Sequence, residues 1–269
     1  MQSQPQPTPR RKWHLQRWLL LLAASLLAYA GWTRYAFRSA LKEAKALGWI
    51  VEYAEPLEEI RENWKNAFRK DTWLDGMTFV VVCEGAGLEQ HRDIVRRLNP
   101  TNLNIDEPQD LRDLSALKSL TRLKELQIAR GPSLTNLDAL KNLTTLKFLE
   151  LRDCTALTNV DALKNLTALE YLDLSGCMLL TNVEGLKNLP ALHHINLSAC
   201  LALTNVDGLK GITTLREVNL TNCPRLKNVD GLKNLNALET VELKGCTGLT
   251  KESIEALKVA LPDTTIRTD

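Results

Sequence analysis

Five of the chain's six cysteines, Cys154, Cys177, Cys200, Cys223 and Cys246, stand 23 residues apart without a slip. Each closes a version of one phrase: LKFLELRDC, LEYLDLSGC, LHHINLSAC, LREVNLTNC and LETVELKGC. A unit this short buries too little apolar surface to fold alone. Its copies must stack on one another, so the chain is constrained to a solenoid.

Within one unit the apolar residues fall at Leu169, Leu172, Leu174, Cys177, Leu180, Val183, Leu186 and Leu189. The Leu-x-Leu pair has period two, which turns Leu172 and Leu174 inward and Tyr171, Asp173 and Ser175 outward on a strand. After the cysteine the spacing becomes three, the period of a 3₁₀ turn. Asp161, Glu184, Asp207 and Asp230 head that turn, where a carboxylate can cap free N–H groups, and a lysine follows three residues on. Asn136, Asn159, Asn182, Asn205 and Asn228 recur just before it and are expected to satisfy loop backbone groups in register.

These phrases resemble leucine-rich repeats from roughly Thr78 to the C-terminus. The turn segment, as in LTNVEGLKNL, is similar to the short repeats of internalin-like bacterial proteins, and the cysteine position resembles the cysteine-containing class. The resemblance implies an α/β solenoid: a curved parallel β-sheet, 3₁₀ or short turns on its convex side, and helical caps. It also implies a non-catalytic module that binds proteins through its concave sheet.

Steps of 23 from Leu151 reach Ile128, Ile105 and Val82, and one step from Leu243 reaches Ile266. Eight or nine parallel strands at ~4.8 Å spacing are therefore predicted. Leu88, Ile94, Val95 and Leu98 predict a helix after the first strand; Ile254, Leu257 and Leu261 predict one before the last. Such helices would close the ends of the core. Parallel Cβ vectors on neighbouring rungs oppose disulfides, so the thiols are expected to be free and buried. A one-ligand-per-rung ladder does not make a metal site, and no metal or cofactor is expected.

The N-terminus has different chemistry. Residues 1–17 form a basic tail expected to be cytoplasmic. Residues 18–33, WLLLLAASLLAYAGWT, carry no charge and are flanked by Arg17 and Arg34. With Trp18 and Trp32 at its ends, this segment reads as a single transmembrane helix. The alternative is a signal peptide cleaved after Ala28-Tyr29-Ala30, which would leave the protein secreted. Arg10, Arg11, Lys12 and Arg17 before the span are matched by Arg34, Arg38, Lys42 and Lys45 after it, so charge does not orient it. The short leading tail favours repeats outside the cytoplasm. Residues 34–77 are expected to be a helical stalk, with Leu57, Ile60, Trp64 and Phe68 on one side of a helix opened by Pro56. Residues 78–269 form the repeat domain.

The ladder gives every outward position an address. One column reads Glu125, Phe148, Tyr171, His194, Glu217, Thr240; the next reads Gln127, Glu150, Asp173, Asn196, Asn219, Glu242. Phe148, Tyr171 and His194 bordered by Glu150, Asp173 and Asn196 have the composition of an interface hot spot, and these six form the candidate partner-binding site. No catalytic residues are assigned. His193 and His194 are adjacent, so strand alternation would send them to opposite faces, and Ser175, Ser198 and Asp173 lack an oxyanion site. The convex line Lys118, Lys141, Lys164, Lys187, Lys210 and Lys233 is offset by the carboxylates three residues earlier. With a net charge of only +2, neither nucleic acid nor a small-molecule substrate is expected. The sequence thus reads as a membrane-tethered protein-binding module. A structural or adhesive envelope spacer and an intracellular substrate adaptor are the alternatives.

Overall fold

The computed structural model describes residues 35–36, 38–46, 50–54, 78–84 and 92–268. Within these, a ten-stranded sheet runs in sequence order, β1 to β10. The strands are β1 (Ile50–Ala54), β2 (Thr78–Glu84), β3 (Asn102–Asp106), β4 (Glu125–Ala129), β5 (Phe148–Arg152), β6 (Tyr171–Asp173), β7 (His194–Asn196), β8 (Glu217–Asn219), β9 (Thr240–Glu242) and β10 (Thr265–Arg267). From β2 to β10 every pairing is parallel. Six 3₁₀ turns alternate with the strands, from Ser115–Leu117 to Asp230–Leu232, as the spacing of three requires.

All eight apolar positions of the unit around Leu174 are fully buried. The five cysteines of the ladder are free thiols in the same core. They are more than filler. Sγ of Cys177, Cys200, Cys223 and Cys246 donates to the carbonyls of Leu151, Leu174, Leu197 and Leu220 on the preceding rung, at 2.9–3.3 Å. The asparagine column closes the other corner. Oδ1 of Asn136, Asn182 and Asn205 accepts the N–H two residues on, at 2.7 to 3.1 Å, and Asp113 does the same one repeat earlier. The carboxylates expected to cap the turns do not. The N–H groups are met by the asparagine, and Glu184 and Asp230 pair instead with Lys187 and Lys233.

The register slips at both ends. Ile105 pairs with Cys83, not Val82, and Ile266 pairs with Val241 rather than with Leu243. At these two places helices replace 3₁₀ turns, and a helix takes up a different length of chain. They are α2 (Arg92–Leu98), burying Ile94, Val95 and Leu98, and α3 (Lys251–Ala260), burying Leu257. Thr250 caps α3 by accepting the Ser253 N–H.

The region expected to be a helical stalk contributes to the sheet. β1 pairs antiparallel with β2, Ile50 opposite Val82 and Ala54 opposite Thr78. Before it, α1 (38–46) buries Ala40 and Ala44 completely. Arg97 of α2 grips Glu43 of α1 through two bonds, 2.6 and 3.1 Å, which hold the Glu43 carboxyl below the ordinary range. The expected helix over Leu57, Ile60, Trp64 and Phe68 and the span 18–33 lie outside the described residues. No helix among the described residues is long and apolar enough to cross a membrane.

Candidate protein-binding surface

Parallel pairing at a constant step places like positions side by side, so the first outward column becomes a continuous stripe. Phe148 and Tyr171 are stacked, ring centroids 4.4 Å apart and planes 2° from parallel. That separation is close to the spacing between strands, so two rings in the same rotamer on adjacent rungs stack. His194 follows at 6.4 Å from Tyr171, and its Nδ1 lies 3.1 Å from Oε2 of Glu217. All three rings are half-buried.

The second column behaves differently. Asp173 is completely buried and Glu150 is only 8% exposed, so neither forms the charged rim expected from the sequence. The short Asp173 side chain folds back to accept the Ser175 N–H at 2.8 Å; Asn196 does the same for Ser198 at 3.0 Å and donates its Nδ2 to Asp173 at 3.1 Å. Asn219 repeats the turn with Thr221. These side chains hold the strand exits.

Arg152 covers the acids. Its Nε is 2.9 Å from Glu150 and 3.1 Å from Asp173, and its side chain remains 48% exposed. Burial pushes the Glu150 carboxyl above the ordinary carboxylate range; Arg152 opposes the shift and the Asp173 charge adds to it. Burial also works against the charge of Arg152, but its bond to Asp173 and the field of Glu150 outweigh this and raise its pKa. Tyr171 is raised by burial and by the neighbouring Asp173 charge. The side chains that reach the surface are therefore Phe148, Tyr171, His194 and Asn196, all half-buried, and the exposed Arg152. Sequence reasoning missed Arg152. Its signal was that it is the one long cation in a column otherwise reading Ala129, Ser175, Ser198 and Thr221 until Lys244, beside two acids.

A shallow depression of about 440 Å³ extends this stripe from Tyr171 and His194 to Glu242 and Arg267. His193 and His194 are both half-buried. β7 begins at His194, strand alternation does not reach back to His193, and the two half-exposed rings lie 6.5 Å apart. They do not assemble a nucleophile site with Asp173, whose oxygens are taken by Ser175, Arg152 and Asn196. Among the described residues no three His, Cys, Asp or Glu side chains converge on a metal position.

Residues 144–188 match the family model of leucine-rich repeats in two copies. No curated protein sequence matches the chain. An internalin of Listeria monocytogenes shares the fold with a TM-score of 0.52 at 18% identity, covering 68% of this chain. This chain spans 62% of that internalin's length. The leucine-rich repeat domain of the type III effector XopL aligns over 100% of this chain and 98% of its own, with a TM-score of 0.50 at 19% identity. Identities this low establish the fold alone: the solenoid is a leucine-rich repeat structure.

Proposed function

We propose that the solenoid binds a protein partner through its concave face, with Phe148, Tyr171, His194 and Arg152 at the centre of contact. The observation that carries this reading is the stacked aromatic pair. Its rings are half-exposed on the concave stripe, and the buried acids beneath hold Arg152 and Tyr171 in fixed geometry. Preorganised aromatic and arginine side chains lose little entropy on binding, and they dominate interface energetics. The apolar residues 18–33 support a membrane tether, with the short basic tail inside and the repeats outside the cytoplasm.

The reading is tested by placing a photo-crosslinking amino acid at Phe148, at His194 and at the convex Lys164 in cells. Discrete adducts from the first two positions and none from the third are expected. In binding assays with the captured partner, Phe148→Ala should cost ~2 kcal/mol, about 30-fold in Kd. Equal adducts from both faces, or none, would favour the rigid spacer and overturn the proposal.

A further inference from the structure

The N-terminal cap carries a basic face that begins five residues after the apolar segment 18–33. In α1, Arg38, Lys42 and Lys45 recur at i, i+4 and i+7, share one side of the helix and are all exposed. The opposite side holds the buried Ala40 and Ala44, so the cations point away from the solenoid. On α2, Arg92 and Arg96 are likewise exposed, opposite the buried Ile94 and Leu98. The ion pair of Arg97 with Glu43 locks the two helices together and occupies the acid of α1. Asp93 is then the one exposed acid of α1 and α2 against five exposed cations. Tyr35, 73% exposed, stands two positions beyond the apolar segment, where membrane proteins place interfacial aromatic residues.

We infer that this basic face rests on the anionic headgroups of the bilayer that takes up residues 18–33. The inference rests on the reading of that segment as a membrane span. The three α1 cations begin five residues after the apolar segment and span only about 11 Å of helix, so they remain near the leaflet surface. There each lysine or arginine is attracted to anionic lipid over about a Debye length. The first cap, rather than a free stalk, then sets the height and tilt of the concave face over the membrane.

The test uses the full chain in lipid nanodiscs of phosphatidylcholine alone or with one-third phosphatidylglycerol, reading hydrogen exchange over 38–46 and 92–98. Exchange is expected to slow about tenfold in the anionic discs and to recover at high salt. The Arg38→Glu/Lys42→Glu/Lys45→Glu and Arg92→Glu/Arg96→Glu variants change only exposed positions and should remove the effect while still entering discs. Incorporation with equal exchange in both lipids overturns the surface contact. Protection by a DNA duplex in phosphatidylcholine discs also overturns it in favour of a nucleic-acid face. Failure to enter discs at all refutes the span, and the inference with it.

Discussion

Four successive rungs turn a corner on a thiol. The S–H of Cys177, Cys200, Cys223 or Cys246 donates to a buried carbonyl of the preceding rung, and the Leu174 and Leu197 carbonyls also accept the N–H of Cys177 and Cys200. Cys200→Ala is expected to destabilise by ~1–2 kcal/mol in urea denaturation, the loss of a second bond to the Leu174 carbonyl adding to a small cavity. Burial pushes the thiols of Cys154 and Cys200 up to about 12 and raises Cys177 as well, so these groups hold no thiolate at neutral pH. Native protein should leave all three unlabelled by iodoacetamide, with labelling on unfolding, as mass spectrometry can show. Glu150 yields a pH prediction. Its folded pKa is raised by burial, so its contribution to stability is present below the unfolded value and is lost as pH rises through the folded one. Glu150→Gln should be more stable than the parent at neutral pH and should lose that advantage near pH ~4, by thermal denaturation at both values. A parent more stable than the variant at neutral pH would show that Arg152 outweighs burial.

At the scale of the repeat, rungs approach closely where glycine heads the convex turn. A Cβ on Gly208 would lie 1.9 Å from the Val183 carbonyl oxygen, and one on Gly231 would lie 2.3 Å from that of Val206. Both contacts are with backbone, which yields only if the turns separate. Gly208→Ala is expected to cost ~1–3 kcal/mol, read from the denaturation midpoint. The ladder of asparagines was legible from its repetition, since only a recurring backbone need explains a recurring Asn. Why glycine stands at position 208 was not legible, because the distance to the preceding rung appears in no single repeat.

For the whole molecule, stability is a chain of nearest-neighbour contacts. Leu172 is fully buried between Leu149 and Ile195 on the flanking rungs. Leu172→Ala should cost ~2–5 kcal/mol, and hydrogen exchange should accelerate first in β5 and β7, before β3 or β9. Uniform acceleration along the solenoid would mean that the repeats unfold as one unit.

The sequence by itself determined the period, the core positions, the parallel sheet, the 3₁₀ turns and both helical caps. Each follows from local side-chain chemistry repeated in register. Tertiary structure decided what depends on neighbours of other kinds. The end rungs slip because helices consume a different length of chain, and β1 closes the sheet from a segment with no repeat signature. Glu150 and Asp173 share the outward parity of an exposed column, yet both are buried, with Arg152 paired to each and the Tyr171 hydroxyl at Asp173. Parity assigns a side chain to a face. Only the groups above and beside it determine whether it meets solvent, and on this face they leave the rings and one arginine in view while drawing the acids beneath.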